Sequence, residues 1–163
     1  MKEWVGILTT PELQPQHKKL IKSWDSYLIM KDKPFVWEER VRIYDTDAQG
    51  IVHYSGYYRF FTDAFEQFSR DVLASEFPLI SEKVWFVVVE SKAMYHKPAR
   101  LGDKLSIGVE AEILGKKALK FSFKIHKGES LMCDGYIVQV AVDSKKWKAI
   151  EIPKKIADKI RKL

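Results

Sequence analysis

R-I-Y-D-T-D-A-Q-G-I-V-H-Y-S-G-Y-Y-R-F-F-T-D-A-F-E-Q-F, residues Arg42 to Phe68, decides the fold of this chain. An apolar, aromatic run ends at Tyr44. An acidic loop follows, carrying Asp45, Asp47 and Gly50. Ser55 then opens a helix, because a serine hydroxyl can accept one of the orphan N–H groups of a first turn. Behind it Tyr57, Phe60, Phe61, Ala64, Phe65, Phe68 and Val72 recur at helical spacing on one face. A carboxylate loop therefore feeds into the positive end of a helix apolar enough to be buried. That end offers free N–H groups to an anion or an oxyanion. The periodicity predicts a helix ending near Ala74-Ser75, ahead of Pro78.

Downstream, Val84-Trp85-Phe86-Val87-Val88-Val89 is an unbroken apolar run, and Glu90 to Tyr95 extends the strand. A strand apolar on both faces is not stable at a free edge, so it is either central or covered by another chain. Lys104 to Leu114 alternates, with Leu105, Ile107, Val109, Ala111 and Ile113 on one face. After Gly115-Lys116-Lys117, Ala118 to His126 returns with Leu119, Phe121, Phe123 and Ile125 inward. Lys127-Gly128-Glu129 turns again into Leu131 to Val142. Hairpin-length loops make this an antiparallel meander. Upstream, Phe35 to Tyr44 reads as a further strand. One long helix with several antiparallel strands predicts an α+β layer. Thr10-Pro11-Glu12 reads as a helix start, and Leu20, Ile21, Trp24, Tyr27 and Leu28 make a stripe that Lys33-Pro34 ends. Residues 1–34 are thus expected to be a helical extension and residues 35–163 the main domain.

The chain has 163 residues, 46% of them hydrophobic and 13% aromatic, enough for one domain with a sizeable core. The net charge is +6, which favours acidic partners without choosing among nucleic acid, membrane and a phosphate-bearing cofactor. The aromatics sit at core periodicity rather than as a stacking platform, so nucleic-acid binding is not expected. A single cysteine, Cys133, excludes an intramolecular disulfide. It also fits a reducing, cytoplasmic compartment. No apolar run approaches a membrane span. No zinc-type spacing joins His17, His96 and His126, so no metal is expected. There is no serine nucleophile elbow and no phosphate-binding glycine loop.

Tyr44-Asp45-Thr46-Asp47-Ala48-Gln49-Gly50-Ile51-Val52-His53-Tyr54-Ser55-Gly56-Tyr57-Tyr58 resembles the signature of the 4-hydroxybenzoyl-CoA thioesterase-like family, the hotdog-fold acyl-CoA thioesterases. Tyr95-His96-Lys97-Pro98-Ala99-Arg100-Leu101-Gly102-Asp103 is similar to that family's Pro-Ala and Gly-Asp segment. Ala141-Val142-Asp143 and Ile152-Pro153 fit its last strand and the turn after it. The resemblance implies a hotdog fold, an antiparallel sheet wrapped around one long central helix. It implies hydrolysis of an acyl- or aroyl-CoA thioester, with CoA part of the substrate and no separate cofactor. It places the nucleophile or general base at Asp47 and an oxyanion-binding backbone N–H at Tyr54. Asp45, read alone as a turn-maker like Asp47, falls on an acidic position that shapes the loop. Gly50, His53, Ser55 and Tyr57 are expected to line the substrate.

The resemblance further implies a homodimer, or a dimer of dimers, in which Val84 to Val89 pairs with its own copy. Glu90, Ser91 and Lys92 of one subunit would then face Asp47 of the other. Arg100, Lys116 and Lys117 are candidates for the CoA phosphates. Thr62 stands where relatives often carry an acid, and Asp63 comes one residue later, about 100° around the helix, so the resemblance does not carry that acid's role onto this chain. Glu66 is the fallback carboxylate. The alternative is a hotdog module that binds acyl-CoA without hydrolysing it, and the presence of Asp47 favours the enzyme.

Overall fold

A computed structural model describes residues 35–74 and 83–163. The expected N-terminal helix, Ser75 and Pro78 lie outside the described residues. Among the described residues five strands and two helices make an α+β hotdog-like fold. The strands are β1 (Phe35–Arg40), β2 (Val84–Tyr95), β3 (Lys104–Leu114), β4 (Ala118–Lys127) and β5 (Ser130–Asp143). They form one antiparallel sheet in the order β1-β3-β4-β5-β2. The long helix α1 (Gly56–Asp71) lies on one face. A short helix, α2 (Lys154–Ile160), closes the chain.

Period and pairing agree along the meander. Leu105, Ile107 and Val109 of β3 and Leu119, Phe121, Phe123 and Ile125 of β4 are buried on the helix side. Each is brought there by strict alternation along its strand. The helix answers with its own aromatic stripe. Phe61 stacks on Phe123 with ring centroids 4.6 Å apart, Phe65 packs on Phe121 at 4.5 Å, and Phe68 meets Phe35 of β1 at 5.4 Å. Each fully buried aromatic is worth about 1.5–3 kcal/mol relative to exposure. Successive helix turns therefore step along β4 from Phe123 toward Leu119.

The Phe61 ring of α1 lies directly over Gly135 of β5. A Cβ there would stand 2.9 Å from Cε2 and Cζ of Phe61 and would collide with the Lys92 carbonyl oxygen of β2. The absence of a side chain is what lets Phe61 reach the sheet.

Two local expectations need correction. The strand read from Phe35 to Tyr44 ends at Arg40, and Ile43–Asp45 is a single 3-10 turn. Asp45 causes this, because its Oδ2 accepts the Arg42 N–H at 2.7 Å and folds the chain back. Ser55 does occupy the position before α1, yet its hydroxyl makes no capping bond. It is held instead by the His53 ring, with Nδ1 and Oγ 2.8 Å apart. The helix α2 forms in the lysine-rich tail, where Ala157 and Ile160 are buried.

β2 is a 12-residue edge strand, hydrogen-bonded to β5 along one side and to no strand of the described residues along the other. A bulge between Val88 and Glu90 shifts its register. Val88 and Val89 are 50% and 61% exposed. Among the described residues no helix is long and apolar enough to cross a membrane.

Candidate active site

The acidic loop is a small hairpin. The Asp47 N–H donates to the Ile51 carbonyl at 2.9 Å, and the Gly50 N–H donates back to the Asp47 carbonyl at 3.0 Å. Thr46 and Val52 pair beyond it. Gly50 closes the turn with φ of 72°, a left-handed conformation that glycine adopts without steric cost. Asp47 is half-buried. Its Oδ1 accepts the Gln49 N–H at 2.8 Å, and its Oδ2 has no partner in the described residues. One oxygen therefore fixes the turn and the other stays available.

Asp45 does the anchoring. It is 3% exposed, and Arg59 of α1 grips it through both carboxylate oxygens, Nε to Oδ1 at 2.6 Å and Nη2 to Oδ2 at 2.9 Å. Its carbonyl accepts the His53 N–H at 2.9 Å. Arg59 also holds Asp63 and lies 3.8 Å from Glu39. Burial, countered in part by Arg59, raises the Asp63 carboxyl above the usual range. Asp63 thus serves the anchor, one turn along from Arg59. Glu66 pairs with Arg70 on the helix surface.

The start of α1 meets this loop. The Gly56 N–H donates to His53 O at 2.8 Å, and the Tyr58 N–H donates to Ser55 O at 3.1 Å. The Tyr54 N–H has no partner in the described residues, and Tyr54 is 65% exposed. The Tyr95 hydroxyl, at the end of β2, donates to the Tyr54 carbonyl at 3.0 Å and steadies that peptide. An exposed N–H at the positive end of a buried helix is suited to an oxyanion. His53 and Ser55 are exposed beside it.

Tyr57, expected to line the substrate, belongs to the core. It is 3% exposed, and its hydroxyl accepts the Ala99 N–H at 3.2 Å. The Ala99 carbonyl accepts the Val52 N–H at 2.8 Å. Ala99 is thus held on both sides and ties the Pro-Ala segment to the loop and the helix. Glu90 and Lys92 also depart from expectation. The bulge turns both to the sheet face away from α1, where Glu90 accepts the Tyr136 hydroxyl. Only Ser91 of the three shares the helix side. Arg100 lies at the entrance to β3, paired to Ile51, whereas Lys116 and Lys117 follow its far end. The 11 residues of β3 separate them, at about 3.3 Å per residue. Within one chain they do not form a single site. Arg59 and Tyr95 were missed as site residues. An arginine on a helix face reads as solvated, and Tyr95 lies 41 residues from its partner.

Other groups can be set aside. Burial pushes the Cys133 thiol up to about 12, so it is no nucleophile. Among the described residues no group of three or more His, Cys, Asp or Glu could hold a metal ion.

Asp103 gives a pH prediction. Burial disfavours its charge, but Lys127 at 2.6 Å and the Arg100 N–H at 2.9 Å outweigh that and hold its carboxyl below the usual range. A lowered folded pKa stabilises the fold above the unfolded value of about 3.9 and loses that contribution as pH falls through the folded value. Asp103→Asn is therefore expected to melt earlier than wild type at pH 6 and to close the gap toward pH 2. Thermal denaturation across that range checks it, and a gap that widens in acid would refute it.

Comparison with known proteins places this geometry. The profile of the thioesterase-like superfamily matches residues 41–160. An acyl-CoA thioester hydrolase, YbgC of Escherichia coli, is 35% identical over 123 residues, which cover 75% of this chain and 92% of that protein. The structure of a 1,4-dihydroxy-2-naphthoyl-CoA thioesterase from Synechocystis shares the fold with a TM-score of 0.74 at 21% identity, covering 80% of this chain and 98% of that one. A gentisyl-coenzyme A thioesterase superposes with a TM-score of 0.67 at 26% identity, covering 77% and 98%. The acidic loop, the helix that follows it and the Ala99 segment that joins them all fall within the matched span, and the chain belongs to the thioesterase-like superfamily.

Proposed function

We infer that this chain is an acyl-CoA thioester hydrolase with Asp47 as its catalytic carboxylate. The observation that carries the reading is a half-buried carboxylate with one free oxygen, on a loop bonded to a helix start that exposes an unpaired N–H. Thioester hydrolysis needs these two things together, a group that delivers the nucleophile and a donor for the oxyanion. The acyl-CoA thioesterases among its relatives support the reading. Asp47 Oδ2 takes a proton from water as the water oxygen adds to the thioester carbonyl, or itself adds to that carbon. The negative charge that develops on the carbonyl oxygen is met by the Tyr54 N–H. On the first route collapse breaks the carbon–sulfur bond and the proton taken up by Asp47 goes to the departing CoA sulfur; on the second, collapse releases the CoA thiolate and leaves an Asp47–acyl anhydride, which water then cleaves to the free acid, restoring the carboxylate and supplying the proton for the thiol. Thiol release across a panel of acyl-CoAs tests the reading. Turnover of at least one thioester is expected, and release from none would refute it.

The active unit is a dimer joined through β2. The open side of β2 and the exposed Val88 and Val89 support this, since a long apolar edge invites another strand. Arg100, Lys116 and Lys117 stay candidates for the CoA phosphates, and antiparallel pairing of two β2 strands sets the Arg100 end of one sheet level with the Lys116 end of the other. Val88→Asp is expected to dissociate or aggregate the protein and to abolish turnover while leaving Asp47 untouched. Sedimentation combined with the thiol assay decides it. A fully active monomer of the wild-type chain would end the proposal.

A further inference from the structure

One bulky side chain stands on strained backbone. Trp147 has a φ of 52°, in the left-handed region that large side chains rarely adopt. The turn after β5 imposes it. Asp143, the last residue of that strand, accepts the Lys145 N–H at 3.0 Å and the Lys146 N–H at 2.7 Å through Oδ1. Its carbonyl accepts the Trp147 N–H at 2.9 Å, and its own N–H donates to the Lys148 carbonyl at 2.9 Å. Strain of this kind persists only where the surroundings impose it, and it points to a function.

Burial does not offset that strain. Trp147 is 63% exposed, and its ring contact among the described residues is with Trp85, at 5.5 Å between centroids and 86° between planes. Lys145, Lys146 and Lys148 are exposed around it. Asp143 is the one acid of residues 143–148, and its carboxylate is taken up by backbone N–H groups. None of the three ammonium groups is ion-paired among the described residues. The tip of the turn is therefore an exposed indole among three positive charges.

Those charges call for an anionic partner and repel a second copy of the same tip. Single-stranded nucleic acid is gripped by several aromatic faces in series, and this turn offers one. A bilayer interface suits it better, because an indole sits at headgroup level and lysines beside it are drawn to anionic lipid. We propose that residues 143–148 dock this protein on an anionic membrane surface, with Trp147 at headgroup level and Lys145, Lys146 and Lys148 against the lipid phosphates. The contact is peripheral, since one indole and three lysines give reversible binding and no span. The inference rests on the turn alone and not on the hydrolase reading.

Vesicle sedimentation tests it, with phosphatidylglycerol mixed into phosphatidylcholine in one set and phosphatidylcholine alone in the other, at about 0.1 M salt. Wild type is compared with Trp147→Gly and with a variant carrying Lys145→Gln, Lys146→Gln and Lys148→Gln together. Wild type is expected to bind the anionic vesicles more tightly than the neutral ones by about tenfold or more, and to release them as salt rises. The lysine variant should bind about a hundredfold more weakly, about fivefold for each charge removed. Trp147→Gly should bind about fivefold more weakly and keep or raise Tm, because glycine adopts that φ without cost. The lysine changes are on exposed side chains and keep the fold, so that variant decides the point even where Trp147→Gly melts early. Thiol release from a soluble acyl-CoA, without vesicles, should be the same in all three. No binding by wild type, equal binding to both vesicle sets, or binding untouched by the lysine variant overturns the proposal. A raised KM in the lysine variant would give the turn to CoA instead. Tighter binding to a single-stranded oligonucleotide than to the anionic vesicles, lost in the same variants, would give it to nucleic acid. Either result overturns the membrane assignment. Absence of thiol release from every form would sink the hydrolase reading and leave the vesicle result standing.

Discussion

Asp47→Asn is expected to fold as wild type does and to lose about 10²–10⁴ in kcat, the scale of a lost acid–base or nucleophilic group. Asparagine keeps an Oδ1, so the bond from the Gln49 N–H and the turn it fixes survive. Only the free oxygen changes, into an amide that neither takes a proton nor attacks carbon. KM should move little, because binding is made elsewhere. Asp45→Asn serves as the control of opposite character. Its target is buried against Arg59, so the expected loss appears first in melting temperature and only secondarily in turnover. Glu66→Gln should be close to neutral, since that side chain pairs with Arg70 on the helix surface. Near-full activity in Asp47→Asn together with a dead Glu66→Gln would move the chemistry to the helix acid and sink the assignment.

Gly135→Ala is expected to be the most damaging single methyl in the sheet. The added carbon meets the Phe61 ring on one side and backbone of β2 on the other, and neither can move without disturbing the docking of α1 or the β2–β5 ladder. Overpacking of this kind costs about 1–3 kcal/mol and here belongs at the upper limit, which lowers Tm by roughly 6–12 °C. Gly108→Ala is the comparison, because a carbon there finds only the Lys124 carbonyl oxygen at 4.0 Å. Calorimetry on both variants decides the point. Equal melting of the two would show that the helix seats differently from the geometry described.

The parts of this molecule that follow a period were legible in its residues. The stripe from Tyr57 to Phe68 faces the sheet as its spacing requires, and β3, β4 and β5 turn their apolar sides to it. What escaped is non-local or rests on a local irregularity. The bulge after Val88 swaps the faces of everything beyond it. Without it Glu90 and Lys92 would continue the helix-facing series of Phe86 and Val88; with it they turn away and Ser91 takes that side. No residue pattern announces a bulge in a run of valines. Arg59 was unreadable for a different reason. Its spacing to Asp63 suggests an ordinary surface pair, and only the folded loop reveals Asp45 as its buried partner, 14 residues away. Ser55 shows that even a correctly placed residue can spend its hydroxyl elsewhere, here on His53. The Asp47 oxygen and the Tyr54 N–H that have no partner among the described residues are the groups to which the family resemblance gives roles, and the assay tests those roles.

The strand order has a consequence for how the protein is made. The strand neighbour of β2 is β5, whose last residue, Asp143, leaves the ribosome 48 residues after Tyr95. At about 5–20 residues per second that is a wait of roughly 2–10 s. During it the valine-rich edge has neither its neighbour nor a place in the sheet, while β3 and β4 can already close their local hairpin. The tight grip on Ala99 cannot form usefully before then, because the segment that carries it is the continuation of the unpaired strand. The nascent chain therefore passes through an interval in which its stickiest element is complete and its partner is not. Translation speed between codons 96 and 143, rather than the stability of the finished fold, would then set how much of the protein reaches its native fold.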